Sequence, residues 1–357
     1  MANRHVNGSG AGVRTRAGAF ALALATCVGA ASVAFAQQTP FDRLPAALLD
    51  ATPPSGRVRG APGRMTIHRT PCPNLPLAEV RRRIVDLAVQ EWGFFGFPVV
   101  DRTNVDAADR AAQRARRRRR RPNRTESARI APSIAGYWAV TPHGGWILNE
   151  QNTAWKGRRG VASRWRYPWS AAFVSWVMCE AGLGDASRFE RAVAHHVYID
   201  QAIRANAADG SPAAFAAHDI GKATIVPGDL LCSARRPAYR SIAERRRQMG
   251  NGARTHCDVV VALDPSRDRI LAVGGNVRGT VALKLLPAAR GPDDRLRPVG
   301  GGRPMFAHLK LRAASIEANA FDHTPTMRIL RCAEGFRART VLAAAHLVPA
   351  EPRTARC

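Results

Sequence analysis

Histidines, cysteines and one glycine-rich turn are the residues of this chain whose chemistry needs placing. His256 heads the run Cys257-Asp258-Val259-Val260-Val261. Side chains two apart on a strand share a face, so Asp258 is set either to assist His256 or to act as a hydrogen-bonded structural acid. His195 and His196 fall in a helical stretch with no partner ligand in view. That suits packed or exposed histidines better than one lining a cleft. No Cys-x-x-Cys pair and no Cys/His cluster with zinc spacing occurs. Gly274–Gly279 has the look of a phosphate loop, but Val281–Leu286 after it reads as a strand, so the dinucleotide context is missing. Neither a metal nor a cofactor is expected. Trp138, Trp169 and Trp176 have faces able to stack on a sugar, though tryptophans in apolar segments usually serve the core.

The elements that must hold these residues follow from hydrophobic spacing. Leu77, Val80, Ile84, Leu87 and Ala88 recur at helical intervals up to Trp92, with Asn74 as a cap and Pro76 in the first turn. The segment Tyr167–Met178 is apolar around most of a helix circumference, as a helix buried inside a domain would be. A further helical stretch covers about 189–207. After Pro227-Gly228 the period changes, and Asp229–Cys232, Cys257–Leu263, Ile270–Val273, Val281–Leu286 and Phe306–Leu311 read as short strands separated by turns. Helices followed by an antiparallel meander define an α+β domain. Its expected span is 75–312, preceded by a Pro, Gly and Arg-rich linker at 37–74 and followed by an extension at 313–357.

Charge and targeting narrow the setting. Lys and Arg number 54 against 27 Asp and Glu, a net +27, which predicts attraction to polyanions without saying anything of fold. Arg4, Arg14 and Arg16 precede an apolar run ending in Ala34-Phe35-Ala36, the order of a secretory signal over 1–36. Leu24-Ala25-Thr26-Cys27 loosely resembles a lipoprotein box, but the threonine and the apolar run continuing past it argue against lipidation. Removing the signal takes away three arginines and no acid, leaving +24. An exported protein seldom meets DNA, so an anionic envelope polymer is the expected partner and nucleic acid is not. No later stretch is long and apolar enough for a membrane span. Within the domain, 101–129 is a polar insertion carrying the unbroken run Arg116–Arg121. Six like charges in a row favour a solvated loop, either a plain exposed insertion or a polyanion contact.

Four short motifs, in order, carry a resemblance. Pro168-Trp169-Ser170-Ala171-Ala172-Phe173-Val174-Ser175-Trp176 resembles the P-W-C-[AS]-A-F-V-x-W segment of CHAP-like and NlpC-like cell-wall peptidases and amidases. Pro227-Gly228-Asp229, His256 before its valines, and Gly274-Gly275-Asn276 are similar to motifs that follow in those families. The nearest likeness is to bacterial domain family 2272, of unknown function, which shares W-S-A-A-F, H-C-D-[IV]-V and G-G-N. The resemblance spans about 80–312 and implies a papain-like fold. It also implies a nucleophile at a helix N-terminus, a histidine base on the adjacent strand and a polar residue orienting its ring. In this sequence those positions are Ser170, His256 and Asn276, with Asp258 and Trp169 as possible assistants. The implied activity is hydrolysis of an amide bond in peptidoglycan.

The pattern departs from those peptidases at its centre, where Ser170 stands in place of cysteine. A hydroxyl is far less acidic than a thiol, so a helix dipole cannot ionise it at neutral pH, and His256 would have to take its proton during attack. The same exchange is also how such a site falls silent, leaving a binding protein for cell-wall peptide or another polyanion. Six cysteines remain after the signal, which permits disulfides in an oxidising compartment. Cys257 points to the face opposite His256, and Cys232 ends the preceding strand, so a Cys232–Cys257 bridge is expected. Cys179, nine helical residues beyond Ser170, is expected to be a free core thiol.

Overall fold

The computed structural model describes residues 42–103, 123–300, 303–332, 342–343 and 345–348. The signal, Cys27, Cys357 and the Arg116–Arg121 run lie outside them. Five helices carry the helical layer: α1 (Leu77–Phe94), α2 (Arg124–Ala139), α3 (Gly144–Trp155), α4 (Ser170–Glu180) and α5 (His195–Ala207). The strands are β1 (Val99–Asp101), β2 (Phe215–His218), β3 (Leu230–Arg236), β4 (Arg254–Asp264), β5 (Arg269–Val277), β6 (Thr280–Arg290), β7 (Leu296–Pro298) and β8 (Met305–Leu311). They form one sheet in the order β1-β6-β5-β4-β3-β8-β2, with β7 paired to β6. Every pairing is antiparallel except β1 with β6.

Strand alternation builds the layers. Cys257, Val259 and Val261 of β4, with Leu271 and Val273 of β5, join the main core beneath the helices. Val260, Ile270 and Ala272 instead join a smaller cluster on the opposite face with Leu231 and Leu286. This is the period of two that a strand imposes. Helix α4 runs through the main core with all eleven residues buried, in keeping with an apolar sequence that has no solvent face. Asn123 caps α2, its Oδ1 accepting the N–H of Glu126 at 2.7 Å, so the arginine insertion gives way to helix earlier than its composition suggests. Helix α5 begins at His195 and not near 189. Ser175 Oγ on α4 binds both the N–H (3.0 Å) and the carbonyl (3.1 Å) of Ala192, holding that approach outside the helix. Pro76 is the cap of α1, while the Asn74 side chain accepts from the Asp185 N–H at 2.8 Å.

The flanking segments are integral to the domain. Residues 42–74, expected as a linker, form a two-stranded ribbon (Val58–Arg59 with Thr66–Ile67) and lock onto the helices through charge. Arg43 pairs with Glu91 at 2.5 Å and stacks over Phe94, and buried Arg57 pairs with buried Glu180. Cys72 is bonded to Cys179, so Cys179 is not a free thiol: the N-terminal segment brings its partner to the end of α4. Past 312, Phe321, Met327 and Leu330 are buried in the main core, and Phe321 meets the Trp92 ring at 5.6 Å. Proline, glycine and arginine obscured the N-terminal segment because much of its hold on the domain is ionic and covalent.

One carboxyl on α1 reports on this packing. Asp86 has a buried Oδ1 without a hydrogen-bond partner, and burial raises its pKa to about 6 against the pull of Arg82, Arg328 and Arg83. A carboxyl with a folded pKa above its unfolded value of 3.8 binds more protons when folded, so its contribution falls as pH rises through that window. Asp86→Asn should therefore stabilise the protein by roughly 1–2 kcal/mol at about pH 8 and by almost nothing at about pH 4. Thermal melts of the two proteins at both values check this; an equal difference at each pH would contradict it.

Candidate functional site

The site forms where β4 and β5 part beside the start of α4. Their pairing begins at Val259 with Val273; toward the N-terminal end of β4, the next strand breaks register between Gly274 and Val277. Two glycines permit what happens there. A Cβ on Gly275 would lie 2.5 Å from Cβ of Phe173 on α4, and one on Gly274 would lie 2.0 Å from Asp258 Oδ1. Only bare backbone fits between the helix and that carboxylate. Asn276 follows in the left-handed region at φ 55, a conformation asparagine tolerates better than most residues.

Ser170 opens α4 and is 8% exposed. Its hydroxyl is hydrogen-bonded to His195, with Nε2 to Oγ at 2.7 Å, and not to His256 as the motif implied. His195, the first residue of α5, is buried and reaches the gap between the strands. There the Cys257 N–H donates to its Nδ1 at 3.3 Å, and the Tyr198 phenol, held protonated by burial and by nearby Asp258, donates to the same nitrogen. A nitrogen that accepts carries no proton, so the neutral ring keeps its proton on Nε2 and donates it to Ser170 Oγ. Burial, and after it the charge of His256, pushes the His195 pKa well below its ordinary value, so the ring is neutral at pH 7. In this state His195 holds the serine oxygen but cannot take its proton.

His256 stands next to this pair, its ring centroid 5.2 Å from that of His195. The partner that orients it is Asp258, whose Oδ1 accepts from Nε2 at 2.9 Å, where the motif implied Asn276. Lys284 of β6 binds the other carboxylate oxygen at 2.7 Å. Burial opposes ionisation of Asp258, but Lys284 and His256 outweigh it and hold the carboxyl well below the usual range. An ionised acceptor at Nε2 fixes the proton there and leaves the lone pair on Nδ1. Burial and Lys284 lower the His256 pKa against the pull of Asp258, so this ring too is a neutral base at pH 7. Its side chain is 19% exposed, more than that of any other charged partner in the cluster.

The remaining residues sort by position. Cys232 and Cys257 are joined by a disulfide between adjacent strands. Trp169 is buried and stacked between Phe95 and Tyr137, with centroids at 5.8 and 5.7 Å, so its place is in the wall of the core. Asn276 and Trp169 both line a cleft of about 870 Å³ whose described lining includes neither Ser170 nor His195 nor His256. Asp229 of the Pro-Gly-Asp turn is structural. Fully buried, it binds Arg81 at 2.7 Å and His308 at 2.8 Å, tying α1 and β8 to the start of β3. Among the described residues, no group of three or more His, Cys, Asp or Glu is arranged to hold a metal. His195, Tyr198 and Lys284 are the site residues that motif reading missed. The i, i+3 spacing of His195 and Tyr198, and a lysine inside the apolar run Val281–Leu286, were the signals available.

The protein is therefore of the mixed α+β class, with a helical layer on a multi-stranded sheet that carries a serine, two neutral histidines and a lysine-held aspartate. Residues 131–293 match the model of a family described as an uncharacterized protein conserved in bacteria (DUF2272), and that stretch contains every site residue named above. No curated protein and no solved structure matches the chain.

The protonation pattern is open to direct observation. Nitrogen-15 correlation spectra should show His195 as the neutral Nε2–H tautomer at about pH 7, and still neutral where an ordinary histidine has become protonated. An Nδ1–H tautomer, or titration near ~6.5, would overturn the assignment.

Proposed function

We propose that this chain is an exported cell-envelope hydrolase of papain-like fold acting on amide bonds, with peptidoglycan as substrate. The observation that supports the reading is a hydroxyl at a helix N-terminus bonded to His195, with the ring of a second histidine, His256, 5.2 Å beyond. Asp258 fixes the tautomer of His256 and leaves its Nδ1 lone pair available. In the reaction, Ser170 Oγ would bond to the amide carbon as its proton passes to His256 Nδ1, a transfer that requires His256 to come within hydrogen-bond reach of a hydroxyl now bonded to His195. Collapse of the tetrahedral adduct breaks the C–N bond, and the amine leaves with that proton. Water, deprotonated by the same nitrogen, then cleaves the acyl-serine. Amides at the start of α4 would face the developing oxyanion. His195 Nε2–H stays on Oγ throughout, placing the oxygen and easing its departure in the second half. Export is supported by the signal-like N-terminus, by two disulfides, and by the absence among the described residues of a helix able to cross a membrane.

A second reading rests on the same hydrogen bond. A hydroxyl already accepting from a histidine that cannot accept in return is well placed to be inert, which would make the domain a binding module derived from a cysteine enzyme. Digestion of purified sacculi separates the two. Under the hydrolase reading, wild type releases fragments while Ser170→Ala and His256→Ala lose at least about a hundredfold in rate. If wild type is inert and only Ser170→Cys cuts, the natural protein is a silenced enzyme. If wild type, Ser170→Ala and Ser170→Cys are all inert, the hydrolase reading fails.

A further inference from the structure

The cleft bordered by Trp169, the residue before Ser170, and by Asn276 has a lining that the amide chemistry does not use. It is formed largely by the irregular segment between α3 and α4, where Trp165, Tyr167 and Trp169 alternate with Arg164, Arg166 and Pro168, and by Arg278 beyond the β5 end. Among the described residues, three arginines and no carboxylate line it. Arg166 is tied at 2.6 Å to Glu150, which lies outside the lining, while Arg164 is exposed. Trp169 is sealed in the core, but Trp165 and Tyr167 are only half-buried. Trp146 of α3 extends the row outward: it is 56% exposed and its ring lies 5.2 Å from that of Tyr167. A tryptophan so exposed is costly to keep in water unless something covers it.

The volume, about 870 Å³, lies in the range of small-molecule sites and exceeds what one amide and its flanking atoms need. Flat aromatic faces set along an open cleft suit the C–H faces of pyranose rings, whereas side chains of a peptide would call for discrete pockets. The guanidinium groups add a demand for negative charge, best met by carboxylates. We infer that this cleft is a binding site for an acidic glycan, in which Trp146, Trp165 and Tyr167 stack on successive sugar rings and Arg164 holds a carboxylate. The inference rests on the envelope reading above, and it places the sugar strand on the Trp169 side of Ser170.

Calorimetric titration of full-length Ser170→Ala protein tests it. The probes are peptide-free peptidoglycan glycan strands, which carry lactyl carboxylates, a neutral chito-oligosaccharide of equal length, and the free stem peptide. The glycan strands should bind, with the neutral sugar several-fold weaker. Trp146→Ala should weaken binding roughly tenfold without lowering the melting temperature, since that side chain is exposed. Arg164→Ala should remove part of the salt dependence. Absence of glycan binding, equal affinity for the neutral sugar, an unchanged affinity in Trp146→Ala, or a preference for the free peptide would each overturn the inference. The readout needs no cleavage. A chain that binds glycan without cutting sacculi keeps this inference and loses the hydrolase reading, and one that cuts but ignores glycan does the reverse.

Discussion

The site depends on how closely β5 approaches the start of α4. Gly274 and Gly275 let its backbone lie against Phe173 and the Asp258 carboxylate, leaving no room for even one methyl group on either residue. That contact turns the strand away from β4, and the gap admits the first residue of α5. The unpaired N–H of Cys257 then meets an imidazole instead of a neighbouring strand, satisfying a buried donor that would otherwise cost about 1–3 kcal/mol. Helix, strand and histidine are thus fixed by a single steric condition.

From that geometry the protonation states follow without any appeal to function. Lys284 neutralises Asp258 from one side, which lets a buried carboxylate remain ionised and set the tautomer of His256. On the other side of the cluster, a backbone donor and a phenol set the tautomer of His195 in the opposite sense to a general base. Two histidines 5.2 Å apart are therefore not interchangeable: one presents a proton to Ser170, and the other presents a lone pair. Sequence motifs name residues, but only neighbours of this kind decide which nitrogen carries hydrogen.

Much of the framework was legible. Apolar residues around most of a helix circumference over Tyr167–Met178 pointed to an interior helix, and alternation in β4 separated Cys257 from His256 and Asp258. The cysteine pair across β3 and β4 followed from the same alternation. What escaped was whatever depends on long-range approach. No local period announces that His195, sixty-one residues before His256, comes to lie beside it, whereas the period of two did put Asp258 on the His256 face. The segment 42–74 was read as a linker because arginines such as Arg43 and Arg57 normally mark solvent, whereas here they bury their charge on Glu91 and Glu180. Charge was misleading wherever its partner lay far along the chain.

The bond between Cys72 and Cys179 has a topological consequence. It closes a covalent ring that holds α1, α2, α3 and the arginine-rich stretch. A protease that nicks the backbone anywhere inside this ring produces two polypeptides still tethered through sulfur. Such a cut would leave one particle with a new pair of termini, and its halves would separate only after a reductant had broken the bond between half-buried Cys72 and buried Cys179.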